Sequence, residues 1–259
     1  MSHHDERDTV GAQSLWDARR VLVIMPTYNE VDTLEETCTE LRAEIPQTNI
    51  LIVDDNSPDG TGAVAQRLCA QNQQTFFLHR TRKEGLGPAY LAGFAWALER
   101  DFDFIVEMDA DGSHRPLDLR QLLDAAAACD GPTLVIGSRW VRGGEVRNWS
   151  AWRRLLSVGG NIYTRAMLGL PVRDATAGFR VFSVSALQQM DRRGVHSAGY
   201  CFQIDMTRRA HSAGLRIIEV PIVFVERRAG RSKMSNAIIV EALWRVTVWG
   251  WRRLLRRPA

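Results

Sequence analysis

Along the first half of the chain, short apolar runs alternate with longer segments of helical spacing. The runs are 21–25, 50–53, 75–78, 104–108 and 133–136. Each has strand length and is nearly continuous in Val, Ile, Leu or Phe, the pattern of strands buried on both faces of a mostly parallel sheet. Between them, 31–45, 61–71, 87–100 and 117–128 carry apolar residues at helical spacing. Pro116 suits a first helical turn, and Asn56-Ser57-Pro58-Asp59-Gly60 is turn chemistry ahead of the second helix. The repeated strand–helix order predicts an α/β layered domain over residues 20–138.

The second half has a different rhythm. Residues 149–170 predict a helix with an Arg-rich start, 181–182 a strand, 199–213 a helix and 217–225 a longer strand. Pro221 inside that last run predicts an edge strand or a bend. Residues 237–255 form an amphipathic pattern: Glu241, Arg245, Arg252 and Arg256 share one stripe, with Val240, Leu243, Trp244, Trp251 and Leu254 opposite. Such a helix can lie in a membrane interface or pack on the domain's own core, and the periodicity allows both. The expected organisation is a flexible tail over 1–20, one domain over 21–234 with halves 21–138 and 139–234, and a C-terminal helix with a basic tail over 235–259.

Composition adds little until it is divided along the chain. The 259 residues carry 33 basic and 30 acidic side chains, a formal net charge of +3. Residues 1–138 hold 11 basic and 23 acidic side chains, and 139–259 hold 22 and 7. An acidic front and a basic rear suggest a metal on one side of a site and anions on the other, or a basic surface facing a membrane. Cys38, Cys69, Cys129 and Cys201 are widely spaced and form no C-x-x-C pair, which predicts neither a zinc site nor a disulfide framework. The polar N-terminus has no signal-peptide pattern, and no apolar stretch is long enough to span a bilayer.

The chemistry concentrates where strands end. The run 104–108 leads into Asp109-Ala110-Asp111-Gly112-Ser113-His114. Ligands in an open α/β sheet bind at the carboxyl ends of strands. Two carboxylates spaced i, i+2 there repel unless a cation sits between them, and Mg²⁺ or Mn²⁺ shared with substrate phosphates is the usual solution. Met25-Pro26-Thr27-Tyr28-Asn29-Glu30 and Val53-Asp54-Asp55 follow strands in the same way, so three acidic loops converge on one rim. No dinucleotide-binding glycine fingerprint or P-loop lysine motif is present.

Taken in order, Pro-x-Tyr-Asn-Glu, Val-Asp-Asp-x-Ser-x-Asp-Gly, Gly-Leu-Gly and Met-Asp-Ala-Asp-Gly-Ser-His resemble a family-2 glycosyltransferase of GT-A fold. Gly137-Ser138-Arg139, Trp152-Arg153-Arg154, 174–180 (Asp-Ala-Thr-Ala-Gly-Phe-Arg), 199–203 and 227–233 resemble the polyprenol-phosphate mannose synthases, the dolichyl-phosphate mannosyltransferase group, in its actinobacterial form. The resemblance spans roughly residues 20–250. It implies a donor site of Pro26, Tyr28, Glu30, Val53, Asp55, Asp109, Ala110, Asp111, Arg227 and Lys233. Asp109 and Asp111 match the metal-binding D-x-D, and Ser113 stands where some relatives carry Gln as a further ligand. Arg139, Arg153 and Ser157 match positions that hold the acceptor's phosphate, and Asp111, Arg139 and Lys233 are the expected catalytic group.

The reaction implied is inverting transfer of mannose from GDP-mannose to a polyprenyl monophosphate, aided by Mg²⁺ or Mn²⁺. An ionised lipid phosphate attacks without a strong general base, and Arg supplies positioning and charge balance. The implied setting is the cytoplasmic face of the cell membrane, with the protein peripheral on an anionic surface, room for a separate integral-membrane partner, and no nucleic acid. Transfer of glucose or another sugar to the same lipid is the nearest rival. A non-catalytic lipid-phosphate adaptor would not need the D-x-D, and a haloacid-dehalogenase-type phosphatase would carry its aspartates after the first strand.

Overall fold

The computed structural model describes residues 14–195, 199–226 and 236–255. The front half runs β1 (Val21–Thr27), α1 (Leu34–Glu44), β2 (Asn49–Asp54), α2 (Thr61–Gln71), β3 (Thr75–His79), α3 (Leu86–Leu98), β4 (Phe104–Glu107) and α4 (Pro116–Ala127). The rear half runs β5 (Thr133–Ser138), β6 (Glu145–Arg147), α5 (Ala151–Leu168), β7 (Arg180–Ser183), α6 (Val184–Gln189), α7 (Gly199–Ser212), β8 (Arg216–Pro221), β9 (Val223–Val225) and α8 (Asn236–Leu255). Every strand and helix expected from periodicity is present, with ends shifted by a few residues. The expected 217–225 strand divides at Ile222 into β8 and β9, and β8 is an edge strand, as Pro221 implied. Two short elements, β6 and α6, carry too few residues to show a period.

The main sheet has the order β3-β2-β1-β4-β7-β5-β8. All its pairings are parallel except those of β7, which runs antiparallel to both β4 and β5. This is the GT-A arrangement: a mostly parallel sheet with helices on both faces. Alternate side chains of β1 serve opposite layers. Leu22 and Ile24 join one core with Phe94, Phe182 and Phe202, while Val21, Val23 and Met25 join the other with Leu34, Leu119 and Phe179.

The antiparallel β7 positions the site. Its first residue, Arg180, pairs in register with Glu107, the last residue of β4, and also with Ile136 of β5. The loop 174–179 therefore reaches the rim beside the carboxyl end of β4, where Asp109 and Asp111 follow. Built as an ideal Cβ, a side chain at Gly178 would lie 3.9 Å from both Asp109 carboxylate oxygens.

The helix α8 packs against α5 and α7, and Val246 enters the core. Its opposite side stays open, with Val240, Trp244, Trp251 and Leu255 all exposed. The packing reading thus holds for the inner face, while the outer face is apolar and exposed. Core packing is tested simply: Phe182 is fully buried edge-on to Phe94, with ring centroids 5.7 Å apart. Phe182→Ala should lower unfolding free energy in urea by about 3–5 kcal/mol.

Candidate active site

One side of the rim is built by β1 and β2, whose ends are in register from Leu22–Asn49 to Thr27–Asp54. Asp54 is structural: Thr27 donates to its Oδ1 at 3.0 Å, and Ser57 N–H to its Oδ2 at 3.0 Å. The next residue, Asp55, is turned to the 80–85 loop. Its Oδ2 accepts from Gly85 N–H at 2.8 Å and Glu84 N–H at 3.1 Å, and Arg80 pairs with its Oδ1. The Lys83 ammonium lies 3.8 Å from the centre of the Tyr28 ring. Glu30 N–H donates to Thr61 at 2.9 Å, tying the loop after β1 to the start of α2. Pro26 lies beside Val53 in the β1–β2 register, and Val53 is fully buried beneath the rim. Arg227 and Lys233 fall outside the described residues.

The carboxylate pair sits at the centre of the rim. Asp111 Oδ1 accepts from Ser113 N–H at 3.0 Å, and Ala110 C=O accepts from Thr37 of α1 at 3.1 Å. Ser113 Oγ is buried and has no hydrogen-bond partner. Leaving a buried hydroxyl unsatisfied is costly, so this atom is suited to a polar ligand at that point. His114 is a brace: its ring stacks on Phe179 at 4.7 Å, and its Nδ1 accepts Asp109 N–H at 3.1 Å. Burial, with help from the Arg139 charge, pulls its pKa down to about 4 against the opposing pull of Asp111 and Asp118. It is therefore neutral at ordinary pH. Beneath the pair, Glu107 and Arg180 are buried 3.9 Å apart. Arg180 also donates to Ala177 C=O at 2.7 Å and Ala175 C=O at 2.9 Å, holding the 174–179 loop from below.

Beside Arg139, a cavity of about 220 Å³ opens between α5 and α8. Its body is apolar, with Leu156 and Tyr163 from α5 and Leu243 and Val246 from α8. Arg139, Arg153 and Ser157 all line it, so the three residues expected to hold an acceptor phosphate are brought to one cavity. Arg139 arrives already paired: it makes two 2.7 Å bonds to Asp174 and a third, at 2.9 Å, to Thr176. Its guanidinium lies 5.5 Å from both the Trp149 and Phe224 rings. Arg153 stacks over Trp149 at 4.1 Å and reaches Glu226 at 3.0 Å.

The site thus joins a rim of carboxylates to an apolar cavity that ends in arginines. Residues 22–191 match the profile described as glycosyl transferase family 2. The chain belongs to glycosyl transferase family 2. It is 51% identical over 231 residues to the undecaprenyl-phosphate mannosyltransferase of Micrococcus luteus, covering 89% of this chain and 94% of that relative. It is 52% identical over 241 residues to the polyprenol monophosphomannose synthase of Mycolicibacterium smegmatis, covering 92% and 90%. Among solved structures, the glucosyl-3-phosphoglycerate synthase of Mycobacterium tuberculosis with Mn²⁺, UDP and phosphoglyceric acid superposes with a TM-score of 0.64. That match covers 95% of this chain and 81% of the other at 18% identity, which speaks to the GT-A fold alone.

In this family-2 transferase several residues hold the site without being legible in sequence. Asp174 lies only six residues before Arg180 in the chain, yet the structure pairs it with Arg139 and pairs Arg180 with Glu107. Gln203 and Asp205, one turn into α7, divide likewise. Gln203 is buried with its amide unpartnered, and Asp205 takes Arg208 at 2.6 Å on the far side of the helix. Strand register decides the pairing of Arg180 with Glu107, whereas Asp205 and Arg208 meet as i, i+3 neighbours on α7. Burial opposes the Asp174 carboxylate, but the Arg139 charge and hydrogen bonds outweigh it and hold its pKa below the ordinary value.

Asp174→Asn should therefore cost about 3–5 kcal/mol in denaturant unfolding at neutral pH, because Arg139 loses its buried partner. In the native chain that contribution is complete above about pH 4 and is lost as pH falls through the lowered Asp174 pKa. The gap between the native chain and Asp174→Asn should accordingly narrow in strong acid.

Proposed function

We propose that this chain transfers mannose from GDP-mannose to a polyprenyl monophosphate, with inversion, as a peripheral enzyme on the cytoplasmic face of a membrane. The observation that carries the proposal is the junction of two unlike surfaces on one rim. A donor loop set with paired aspartates meets an apolar cavity whose mouth is lined by Arg139, Arg153 and Ser157. A phosphorylated lipid has that shape in chemical terms: an anionic head on an apolar tail. The close relatives act on undecaprenyl phosphate or make polyprenol monophosphomannose by their names, in line with this acceptor class.

The donor would lie along Pro26, Tyr28, Glu30, Val53, Asp55 and Ala110, with its diphosphate toward Asp109 and Asp111. Arg227 and Lys233 would close over that diphosphate. Among the described residues no group of three His, Cys, Asp or Glu is arranged to hold a metal. Two aspartates and the unpartnered Ser113 hydroxyl nonetheless suit a hard cation that completes its shell with diphosphate oxygens and water. Mg²⁺ or Mn²⁺ held there would offset the negative charge that grows on the leaving diphosphate.

The chain's own residues do the rest. Arg153, with a partly exposed partner in Glu226, can shift toward an acceptor phosphate, while Arg139 is locked by Asp174 and sets the depth of entry. Their charge holds the lipid phosphate oxygen near the anomeric carbon in a single orientation. No residue need remove a proton from the nucleophile, because a phosphate monoester is ionised at neutral pH.

Membrane contact follows from α5 and α8. Trp152, Leu155 and Leu156 on α5 and Val240, Leu243 and Trp244 on α8 are exposed apolar side chains, and Leu156 and Leu243 also line the cavity. A bilayer surface against them would let a prenyl chain pass directly into the cavity. Among the described residues no helix is long and apolar enough to cross a membrane. A separate integral-membrane partner would find its place on the same face.

The reaction is tested with labelled GDP-mannose and a polyprenyl phosphate in detergent, following label into the organic phase with and without divalent metal. Metal-dependent transfer is expected, and Asp111→Ala should reduce it by about 10²–10³ or more. Label from UDP-glucose but not GDP-mannose would assign the chain to the glucose-transferring alternative, and no transfer from either would favour the adaptor. For the membrane face, Trp244→Ser/Trp251→Ser should weaken sedimentation with vesicles; unchanged sedimentation would place the contact elsewhere.

A further inference from the structure

A second concavity, of about 660 Å³, opens where α7 meets α8, and the transfer reaction makes no use of it. Its charge is unusual. Arg208 and Arg209 of α7 and Arg245, Arg252 and Arg253 of α8 line it, five guanidiniums in one cleft. Buried Asp205 takes Arg208 at 2.6 Å and Arg209 at 3.2 Å through the same oxygen. Glu241 takes Arg245 at 2.8 Å. Arg252 and Arg253 have no ion pair among the described residues. Among the described residues, the five arginines that line the cleft make ion pairs with two carboxylates, an excess of three positive charges.

Four of the five guanidiniums are held in place, Arg245 by Glu241 and three by the contacts that follow. Arg208 lies over the Trp249 ring at 4.9 Å. Arg209 donates to Asp191 C=O at 2.6 Å and Arg193 C=O at 3.1 Å. Arg253 lies directly on Gly169, the left-handed C-cap of α5, where an added Cβ would stand 2.2 Å from its Nη2. That puts a cation at the negative end of the α5 dipole. Like charges fixed this close repel, and an anion among them relieves the repulsion.

The position of the cleft says which anion. Arg245 and Arg252 are seven residues apart on one flank of α8, roughly a third of a turn from the exposed row Val240, Trp244, Trp251 and Leu255. When that row lies in a bilayer surface, Arg245 and Arg252 come to the level of headgroup phosphates, and the rest of the cleft opens beside them. We infer that the α7–α8 cleft binds the phosphate of an anionic phospholipid headgroup, as a second lipid site separate from the acceptor cavity. The inference rests on the peripheral docking proposed above. Arg is suited to the task because its planar fork engages two phosphate oxygens at once.

The test is binding of the full chain to vesicles of phosphatidylcholine alone, or mixed with phosphatidylglycerol, at fixed ionic strength. Native protein should bind the mixed vesicles more tightly. Arg252→Gln/Arg253→Gln should lose roughly thirtyfold in affinity for mixed vesicles, from two cations near an anionic surface, and keep its binding to phosphatidylcholine. Arg19→Gln/Arg67→Gln removes the same charge from exposed sites outside the cleft and should change little. Arg252→Gln alone, at an exposed position, serves if the double variant does not fold, with a loss of about fivefold.

Equal loss in the Arg19/Arg67 variant would reduce the effect to diffuse charge and overturn the site. Stabilisation by inorganic phosphate without vesicles, abolished in the Arg252/Arg253 variant and paired with indifference to phosphatidylglycerol, would make it a soluble-anion site and overturn the lipid assignment. Native protein that binds both vesicles equally would sink the cleft and leave peripheral docking standing. Binding to neither vesicle would remove both.

Discussion

The antiparallel pairing of β7 between β4 and β5 is the constraint on which the site depends. Parallel strands all deliver their following loops to one edge of the sheet. An antiparallel strand placed among them delivers its preceding loop to that same edge. Arg180 opposite Glu107 thus brings residues 174–179 beside the D-x-D loop. The pairing is reinforced below the backbone, where Arg180 meets Glu107 and ties off the carbonyls of Ala175 and Ala177. From there Asp174 reaches Arg139, which follows β5. One strand direction joins the D-x-D rim to the Arg139 cavity through a short chain of buried side chains.

Buried ion pairs seldom add much stability over an apolar core, because desolvation takes back most of the Coulomb gain. Their use here is geometric. Arg139 held by two short bonds to Asp174 cannot wander over the cavity mouth, and its aromatic surroundings of Trp149 and Phe224 narrow its freedom further. Arg153 keeps a partly exposed partner and can exchange it. A fixed cation beside an adjustable one suits a phosphate that must enter, react and leave.

The acidic and basic halves of the chain acquire meaning in this arrangement, though not uniformly. Asp109 and Asp111 serve the rim, while Glu35 and Glu44 pair with arginines on the outer helices. In the basic half, Arg139 and Arg153 line the cavity between α5 and α8, and Arg208, Arg209, Arg245, Arg252 and Arg253 collect in a separate cleft. Both concavities lie against α8, whose inner side packs on α5 and α7 and whose outer side is apolar and exposed.

Much of this was determined by the linear sequence. Apolar runs of strand length, helical spacing between them and acidic turns at the strand ends specify the α/β order and the rim, because burial and turn chemistry act over a few residues. The grouping of Arg139, Arg153 and Ser157 also came from ordered motifs. Tertiary structure alone decided the long-range partners, Asp174 with Arg139 and Glu107 with Arg180, and the arginine cleft. It also decided that α8 is packed on one side and open on the other. The physical reason is range. Periodicity reports which face of an element is apolar, whereas a charge chooses its partner by distance in the assembled sheet, and β7 sets those distances across a gap of more than 70 residues between Glu107 and Arg180.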